Sequence, residues 1–198
     1  MGEHYFSEKP DSLLREEEIP VHVFNKKYMF LSASGLFSKQ HLDLATKLLI
    51  EKSDLSNAKK ILDLGSGWGV VAVILKERNP DLIVCATDIN ERAVRYTKKN
   101  AEKNKVSLVT KKSNILEAWT DDLFDVILTN PPYAAGRKIC YSFIEESVEH
   151  LTEGGSLQLV ARHQKGGKML ALHMEEVFGN VETLAIQSGF RIYKSVKK

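Results

Sequence analysis

Short apolar strands alternate with helical segments from Lys60 onward, and this alternation limits the fold more than any other feature of the sequence. Parallel neighbouring strands cannot be joined by a tight turn and need a crossover, which a helix usually provides. The pattern therefore predicts an α/β fold with a mostly parallel sheet that helices cover on both faces. The predicted strands are 61–64, 82–87, 106–109, 124–128, 157–160, 181–186 and 190–194. The predicted helices are 70–78, 91–103, 143–151 and 168–178, with Glu153-Gly154-Gly155 ending the third.

The last two predicted strands break the pattern, because only Gln187-Ser188-Gly189 separates them. A loop this short joins antiparallel neighbours. We therefore expect a Rossmann-like, seven-stranded, mostly parallel sheet with one antiparallel strand.

The segment ahead of the alternation is organised differently. Polar residues fill positions 1 to about 20, and 21–31 predicts a hairpin with Asn25-Lys26-Lys27 in its turn. A turn at 34–38 follows, and then a helix with Leu42, Ala45 and Leu49 on one face. We expect residues 1–40 to be an amino-terminal extension or hairpin packed on the core, and residues 41–198 to form the main domain.

Composition excludes several classes of protein. With 43% hydrophobic and 27% charged residues the chain is typical of a globular domain, not of a disordered or fibrous one. No apolar segment is long enough to span a bilayer, so we expect no membrane contact. The two cysteines form no C-x-x-C pair, which favours a reducing, cytoplasmic setting without a metal site. A net charge of +2 permits an RNA partner without requiring one.

A glycine-rich loop, Asp63-Leu64-Gly65-Ser66-Gly67-Trp68-Gly69, joins the first strand of the sheet to its helix. Open α/β sheets bind ligands at this carboxyl edge. A dinucleotide loop has the pattern G-x-G-x-x-G/A, but Val70 occupies the sixth position here. The Asp63 carboxylate would repel a pyrophosphate and attract the cationic amino-acid end of S-adenosylmethionine. The alternative is a tight strand–helix turn with no ligand.

Polar residues that end the next two strands complete a nucleoside-binding pattern. Asp88 could accept hydrogen bonds from both hydroxyls of a ribose. Asn114 could bond the adenine edge and Ile115 could pack on the ring. Many similar proteins carry Asp where Asn114 stands, so the amide is a departure. The expected cofactor-binding residues are Asp63, Gly65, Gly67, Asp88, Ile89, Asn114, Ile115 and Asn130.

The tetrad Asn130-Pro131-Pro132-Tyr133 directly follows the fourth strand of the sheet, which again places it at the carboxyl edge. A conjugated amine or amide nitrogen is a weak nucleophile, because its lone pair is delocalised. Hydrogen-bond acceptors aimed at its N–H groups direct that lone pair towards a methyl donor. The Asn130 side-chain carbonyl and the Pro131 backbone carbonyl are such acceptors. The alternative is a simple strand-ending turn, since Asn-Pro often begins one.

The remaining residues of the tetrad suit the same chemistry. Proline fixes φ, so the Pro131-Pro132 pair presents its carbonyls on a stiff loop, and we expect Pro132 to touch the substrate. Tyr133 offers a ring on which a planar base could stack. The expected catalytic residues are therefore Asn130, Pro131 and Tyr133.

Basic residues follow the fourth and fifth strands of the sheet on the same side as these motifs. Arg137, Arg162 and Lys165 could contact phosphate, where each charge adds salt-dependent affinity. The alternative is solvated loop charge.

Taken together, the motifs resemble the methyltransferase small-domain family of class I methyltransferases, and the resemblance covers nearly the whole chain. It is closest to the compact archaeal single-domain members. The best-known members methylate guanine N2 in ribosomal RNA. The matching pieces are His4-Tyr5-Phe6-Ser7, Gly35-Leu36-Phe37-Ser38 with Leu42-Asp43, the Asp63–Gly69 loop, Asp88-Ile89-Asn90, the tetrad with Gly136, Gly154-Gly155, Gln164-Lys165-Gly166-Gly167 and 177–183.

This resemblance implies S-adenosylmethionine as cofactor and an amine of an RNA base, most often guanine N2, as acceptor. It implies a ribosomal RNA partner and a protein that acts as a monomer or homodimer. It also implies that the Gly35-Leu36-Phe37 turn lies against the mouth of the site, which makes Phe37 a further substrate-binding candidate.

Other functions remain open at this point. Cytosine N4 and adenine N6 of ribosomal or transfer RNA would use the same acceptor geometry. The same tetrad serves methyltransferases of the glutamine amide in release factors, which usually carry a helical amino-terminal domain that this sequence does not show. A non-catalytic RNA-binding scaffold is disfavoured, because Asp63, the glycines and Asn130 are all intact.

Overall fold

The computed structural model describes residues 15–36 and 42–198. The strands are β1 (Glu16–Val23), β2 (Lys26–Ala33), β3 (Lys60–Leu64), β4 (Ile83–Asp88), β5 (Val109–Lys112), β6 (Phe124–Thr129), β7 (Leu151–Arg162), β8 (Glu182–Gln187) and β9 (Phe190–Val196). The helices are α1 (Leu44–Lys52), α2 (Val70–Arg78), α3 (Glu91–Lys103), α4 (Arg137–Glu149) and α5 (Lys168–Phe178). Among the described residues, no helix has the length and apolar character needed to cross a membrane.

Seven strands form one sheet in the order β5-β4-β3-β6-β7-β9-β8, and β1 pairs with β2 in a separate hairpin. Strand β9 runs antiparallel to both β7 and β8, while the other pairings in the large sheet are parallel. The loop Ser188-Gly189 has φ of 49° and 80°, the left-handed conformation that suits a two-residue hairpin. The predicted α/β fold with one antiparallel strand is confirmed.

The two faces of the sheet carry separate apolar cores, because successive strand residues point to opposite sides. Ile61 and Leu128 face the core that holds the buried residues of α1, α2 and α3, together with those of the β1–β2 hairpin. Leu62 and Ile127 face the core that holds α4 and α5. The carboxyl ends of β3, β4 and β6 remain open between these two layers, and the site forms there.

The third strand of the large sheet begins later than expected: 106–109 is predicted, whereas β5 is Val109–Lys112. Lys105 adopts a left-handed φ of 58°, and the Val106 N–H closes the end of α3 on the Ala101 carbonyl at 3.0 Å. Pairing with β4 therefore starts only at Val109, opposite Cys85. Because β5 is an edge strand, its first residue is set by where its hydrogen bonds to β4 begin and not by its apolar residues.

The expectation that Glu153-Gly154-Gly155 ends a helix is wrong. Helix α4 stops at Glu149, and these residues lie inside β7. Gly154 has φ of 76° and donates to the Lys197 carbonyl at 3.0 Å, and the pairing of β7 with β6 is irregular at the same level. The glycines therefore form a strand irregularity, where a positive φ favours glycine.

The amino-terminal hairpin packs on the side of the sheet that carries α3. Its turn is at Phe24-Asn25, both with positive φ, one or two residues earlier than predicted. The Phe30 ring meets the Trp68 ring edge-on at a centroid distance of 5.6 Å. Beyond β2, the Arg92 guanidinium donates to the Ser34 carbonyl at 2.6 Å and the Asn90 amide donates to the Gly35 carbonyl at 3.3 Å. These contacts hold the end of the hairpin beside the start of α3.

Candidate active site

A cavity of about 380 Å³ opens at the carboxyl ends of β3, β4 and β6. The glycine loop, the ends of β4 and β5, the tetrad, α1 and α4 all contribute to its wall. The structure thus brings together in one cavity every residue that the sequence predicts to bind cofactor, namely Asp63, Gly65, Gly67, Asp88, Ile89, Asn114, Ile115 and Asn130.

The glycine loop is folded so that its backbone faces the cavity. The Gly65 and Ser66 N–H groups both donate to the Thr87 carbonyl at 2.9 Å, which turns the chain sharply at the end of β3. Gly67 has φ of 56° and nothing within 4 Å of where a Cβ would stand, so a ligand can approach its main chain. Gly69 is required for a different reason, since a Cβ there would lie 2.8 Å from the Thr97 side chain of α3.

Asp88 ties this loop to the end of β4. Its Oδ2 accepts the Gly67 N–H and its Oδ1 accepts the Asn90 N–H, both at 2.9 Å. Burial raises the pKa of Asp88 to about 6, although these backbone hydrogen bonds oppose the shift. Each carboxylate oxygen accepts one of these protein hydrogen bonds and keeps capacity for a second, which two adjacent hydroxyls of a ribose could fill.

Asp63 lies deeper in the same wall and is 3% exposed. Its Oδ2 accepts the Ala72 N–H at 3.2 Å, near the start of α2. Burial raises the pKa of Asp63 to about 7, and the nearby Asp88 carboxylate adds to the shift. No lysine or arginine forms an ion pair with Asp63 within the described ranges. A cation bound in the cavity would therefore stabilise its ionised form.

Residues after β5 supply an apolar wall. Ile115 has φ of 48°, a conformation that a β-branched residue rarely adopts, and its side chain lines the cavity. Asn114 also lines the cavity, and its amide NH₂ donates to Glu117 Oε1 at 2.7 Å, which leaves its carbonyl oxygen as an acceptor. Phe143 of α4 packs against Gly65 across the opening. The cavity thus combines the carboxylates of Asp63 and Asp88 with an apolar wall section at Ile115 and Phe143, which fits a nucleoside with a cationic tail.

The tetrad forms the neighbouring part of the wall, with Asn130, Pro131 and Pro132 all in contact with the cavity. The Pro131 carbonyl accepts the Tyr133 N–H at 2.9 Å and retains a second lone pair. The Asn130 NH₂ group donates to Thr46 Oγ1 at 3.0 Å. Its Oδ1 has no hydrogen-bond partner in the described part of the chain.

Tyr133 occupies a different position from its tetrad neighbours. It does not line the cavity, and its ring lies close to Gly166, about 3.7 Å from the Cβ that a side chain there would have. Its hydroxyl is buried without a hydrogen-bond partner among the described residues, and burial raises its pKa far above the usual range. In this structure the loop after β7 therefore covers part of the ring that was expected to stack on a base.

Two groups of wall residues were missed by the sequence analysis. Asp43 and Thr46, at the amino end of α1, line the cavity beside Asn130. An aspartate before an apolar helix predicts an N-cap, but the sequence does not indicate that this N-cap faces the cavity. Helix α4 contributes a full side, and its orientation cannot be inferred from periodicity alone. The residues of that side are Lys138, Ile139, Ser142, Phe143 and Glu146.

The predicted phosphate contacts do not line the cavity and follow the carboxyl ends of β6 and β7. Arg137 begins α4 directly after the tetrad, Arg162 ends β7, and Lys165 lies in the loop that follows. Phe37 and the matching residues 4–7 lie outside the described residues, although Leu36 does line the cavity. Within residues 15–36 and 42–198, His, Cys, Asp and Glu side chains form no group that could hold a metal ion.

Comparison with known proteins identifies the family. A family model described as the methyltransferase small domain matches residues 27–194. A Bacillus subtilis protein named "Uncharacterized protein YbxB" is 34% identical over 200 residues, and each chain covers the other completely. The expected likeness to archaeal members in particular gains no support from these matches, since this end-to-end relative is bacterial.

Longer proteins match over part of their length. Ribosomal RNA small subunit methyltransferase C of Photorhabdus laumondii is 31% identical over 168 residues, which is 83% of this chain and 48% of that protein. The chain thus spans about half the length of the methyltransferase C relatives that it matches.

A solved structure of similar fold is the T. thermophilus 16S rRNA N2 G1207 methyltransferase (RsmC) in complex with AdoMet and guanosine. It matches with a TM-score of 0.81 at 24% identity, covering 94% of this chain and 52% of that one. A methyltransferase from Pyrococcus furiosus matches with a TM-score of 0.62 at 23% identity, covering 72% and 79%. At these identities the matches show a shared fold.

Proposed function

The chain belongs to the methyltransferase small domain family, and on that premise we propose that it methylates an exocyclic amine of a base in RNA. Its enzyme class is that of the S-adenosylmethionine-dependent methyltransferases, with S-adenosylmethionine as cofactor. The first candidate for the acceptor is guanine N2 of ribosomal RNA, modified in the cytoplasm by a monomer or homodimer. The observation that carries the proposal is that Asn130 and Pro131 both line the cavity and each has an oxygen that can accept a further hydrogen bond, namely Asn130 Oδ1 and the Pro131 carbonyl.

These two oxygens favour a nitrogen acceptor that carries hydrogens. An NH₂ group can donate to both, which holds the nitrogen and turns its lone pair away from the two acceptors. Because the Pro131 carbonyl lies on a proline-stiffened loop, this orientation costs little reorganisation during the reaction. The arrangement suits a conjugated amine, whose lone pair needs such direction.

The residues of the chain then have separate tasks. When bound, S-adenosylmethionine would supply an electrophilic methyl group to the acceptor nitrogen and would leave as the neutral thioether, so that one N–C bond replaces one C–S bond. Asp63 and Asp88 would hold the cationic and ribose parts of the cofactor, and Ile115 would pack on its base. Asn130 and Pro131 would stabilise the positive charge that develops on the nitrogen. The product cation is acidic enough to lose its proton to water, so no general base is assigned.

Positive charge around the mouth supports RNA as the substrate. Six basic residues near the carboxyl ends of β6 and β7 form what we call the basic rim. Lys138 lines the cavity itself. Burial lowers the pKa of His163, and the nearby positive charges of Arg191 and Lys168 lower it further, so these two residues lie close to His163. No described carboxylate forms an ion pair with any member of the rim. The members are Arg137, Lys138, Arg162, Lys165, Lys168 and Arg191.

Guanine is proposed on the strength of the relatives. The T. thermophilus structure of the same fold is described as an N2 methyltransferase bound to guanosine, and the Photorhabdus relative is a ribosomal RNA methyltransferase. The oxygens of Asn130 and Pro131 would position an amine of cytosine or adenine equally well, and a glutamine amide also carries an NH₂ group. These acceptors are therefore the alternative outcomes of the test.

The test uses RNA from cells that lack the gene, as both free RNA and isolated small ribosomal subunits. Purified protein and labelled S-adenosylmethionine are added, and nucleoside mass spectrometry identifies the methylated base. We expect N2-methylguanosine, and we expect Asn130→Ala to abolish transfer while the Kd for S-adenosylmethionine stays within about two-fold. Full activity of Asn130→Ala would refute the role given to the tetrad. Methylation of a release-factor peptide in place of RNA would refute the substrate.

A further inference from the structure

The amino end of α1 meets the tetrad in a small hydrogen-bonded group of three side chains. Asp43 is the N-cap of α1: its Oδ1 accepts the Thr46 N–H at 3.0 Å, and its Oδ2 accepts the Thr46 hydroxyl at 2.6 Å. The Asn130 NH₂ group donates to Thr46 Oγ1 at 3.0 Å and lies 3.5 Å from Asp43 Oδ1. All three residues line the cavity.

We infer that Asp43 and Thr46 are positioning residues that fix which end of the Asn130 amide faces the acceptor nitrogen. An asparagine amide has an oxygen that accepts and an NH₂ group that donates, and half a turn about its last bond exchanges them. Only the oxygen can receive an N–H from an amine. The inference rests on the proposed function, because the orientation matters only if Asn130 binds the acceptor.

The direction of each hydrogen bond in the group decides the orientation. The Asp43 carboxylate, when ionised, can only accept, so it takes the single proton of the Thr46 hydroxyl. Thr46 Oγ1 then presents lone pairs to Asn130, and these call for the NH₂ group. A flipped amide would place its oxygen against Thr46 Oγ1 and the Asp43 carboxylate, where no donor remains. The flipped form is disfavoured by the loss of a hydrogen bond and by repulsion between oxygens.

Two substitutions separate this role from the capping of α1. Thr46→Val removes the hydroxyl but keeps the branched shape and the backbone N–H. Asp43→Asn keeps an N-cap residue of similar quality, but it can place an NH₂ group against the Thr46 hydroxyl. That hydroxyl would then direct its proton towards Asn130, which reverses the pattern. Thr46→Ser retains the hydroxyl and is the conservative variant that should preserve activity. Thr110→Val makes the same threonine-to-valine change outside the cavity and is the matched control.

The kinetic experiment measures methyl transfer to RNA from cells lacking the gene, together with the Kd for S-adenosylmethionine and the Tm. We expect Thr46→Val and Asp43→Asn to lower kcat by about 10- to 100-fold, the scale of a small misplacement at a reacting centre. The cofactor Kd should stay within two-fold, and Thr46→Ser and Thr110→Val should behave as wild type. A kcat within two-fold of wild type in Thr46→Val or Asp43→Asn overturns the inference. An equal loss in Thr46→Ser together with a lowered Tm also overturns it, because that outcome indicates a structural role alone.

A second readout needs no turnover. In NMR spectra of the ligand-free protein, the Asn130 side-chain NH₂ should show a nuclear Overhauser effect to the Thr46 side chain, and this effect should disappear in Asp43→Asn. An Asn130 amide that is flipped or freely rotating in the wild type overturns the inference by itself. If this effect is present but Asn130→Ala is fully active, the orientation stands and the proposed function of the tetrad fails.

Discussion

Two carboxylates that face one cavity, the buried Asp63 and the half-buried Asp88, distinguish this site at the scale of single residues. Asp63 and Asp88 face the same cavity, and burial is the largest cause of the raised pKa of each. Neither forms an ion pair with a described lysine or arginine, so no protein cation neutralises either carboxylate directly. Such an arrangement lowers the stability of the ligand-free protein and raises its affinity for a cation, because a bound cation stabilises the ionised carboxylates.

This balance leads to a prediction for the pH dependence of stability. An aspartate in the unfolded chain titrates near about 3.9, whereas Asp63 titrates at about 7 in the folded protein. Between these values the folded state holds more protons, so the free energy of unfolding from this group falls as pH rises and levels off above about 7. Asp63→Asn resembles the protonated form. We expect its ligand-free Tm to vary less between pH 5 and 8 and to equal or exceed that of wild type at pH 8.

The same variant should bind S-adenosylmethionine about 10- to 100-fold more weakly, as expected for the loss of a hydrogen bond to a charged group. Thermal unfolding and titration calorimetry measure the two effects. Asp81→Asn, at an exposed aspartate outside the cavity, is the control and should change neither. A Tm that falls as steeply with pH in Asp63→Asn as in wild type contradicts the prediction.

At this scale the sequence identified the residues that carry recognisable chemistry. Asp63, Asp88 and Asn130 all lie at strand ends, where the carboxyl edge of the sheet brings them together. Thr46 and Glu146 have no such signal, because each sits within a helix whose orientation depends on packing against distant strands. Tyr133 did carry a signal, because its type and position suggested stacking on a base, but the sequence did not indicate that the loop at Gly166 lies against part of its ring.

At the scale of elements, one asparagine connects three parts of the fold. Asn100 of α3 is fully buried, and its NH₂ group donates to the Leu31 carbonyl of β2 and the Trp68 carbonyl of the glycine loop, both at 2.8 Å. Its Oδ1 accepts the Leu31 N–H at 2.7 Å. The hairpin and the glycine loop are thus held to the same side chain.

We predict that Asn100→Ala lowers the free energy of unfolding by about 1–3 kcal/mol, because three backbone groups lose their partner and the hydrogen bond to the Trp68 carbonyl is buried. The Kd for S-adenosylmethionine should rise as well, since the glycine loop loses one of its supports. Urea unfolding and titration calorimetry provide the measurements. Asn104→Ala, one turn further along α3 and only half-buried, is the matched control and should cost less. An Asn100→Ala variant as stable as wild type would contradict this role.

Helices and buried strands were predictable because their apolar periodicity is strong. The errors fall where hydrogen bonding sets the structure instead. The start of β5 depends on the left-handed turn at Lys105 that follows α3, and Gly154-Gly155 lie in a strand irregularity that resembles a helix stop in sequence. The antiparallel direction of β9 followed from the length of the loop before it, and it agrees with the structure.

At the scale of the whole molecule, the basic rim should set how affinity for RNA depends on salt. Replacing Lys165, Lys168 and Arg191 with alanine removes three charges from the mouth of the site. If these residues contact phosphates, the slope of log K against log salt should become shallower by about 2 to 3, given a slope of roughly −0.7 to −0.9 for each contact. Fluorescence anisotropy with a labelled ribosomal RNA fragment at several salt concentrations measures this slope.

Removal of an equal charge elsewhere is the control for the rim variant. Lys27, Lys98 and Lys105 are exposed and form no ion pair with described residues. Their replacement with alanine should leave the slope nearly unchanged. If both triple variants reduce the slope equally, general charge and not the rim explains RNA affinity.

The pair of acceptor oxygens at the tetrad also bears on how many methyl groups one nitrogen would receive. An unmodified amine has two hydrogens, one for Asn130 Oδ1 and one for the Pro131 carbonyl. After one transfer and loss of the proton, a single N–H remains, and one oxygen at the cavity wall is left without a donor. An acceptor that the bound base covers and leaves unpaired costs about 1–3 kcal/mol, so a second round begins from a more weakly held substrate. In the proposed reaction, the tetrad therefore favours release of the base after one methylation.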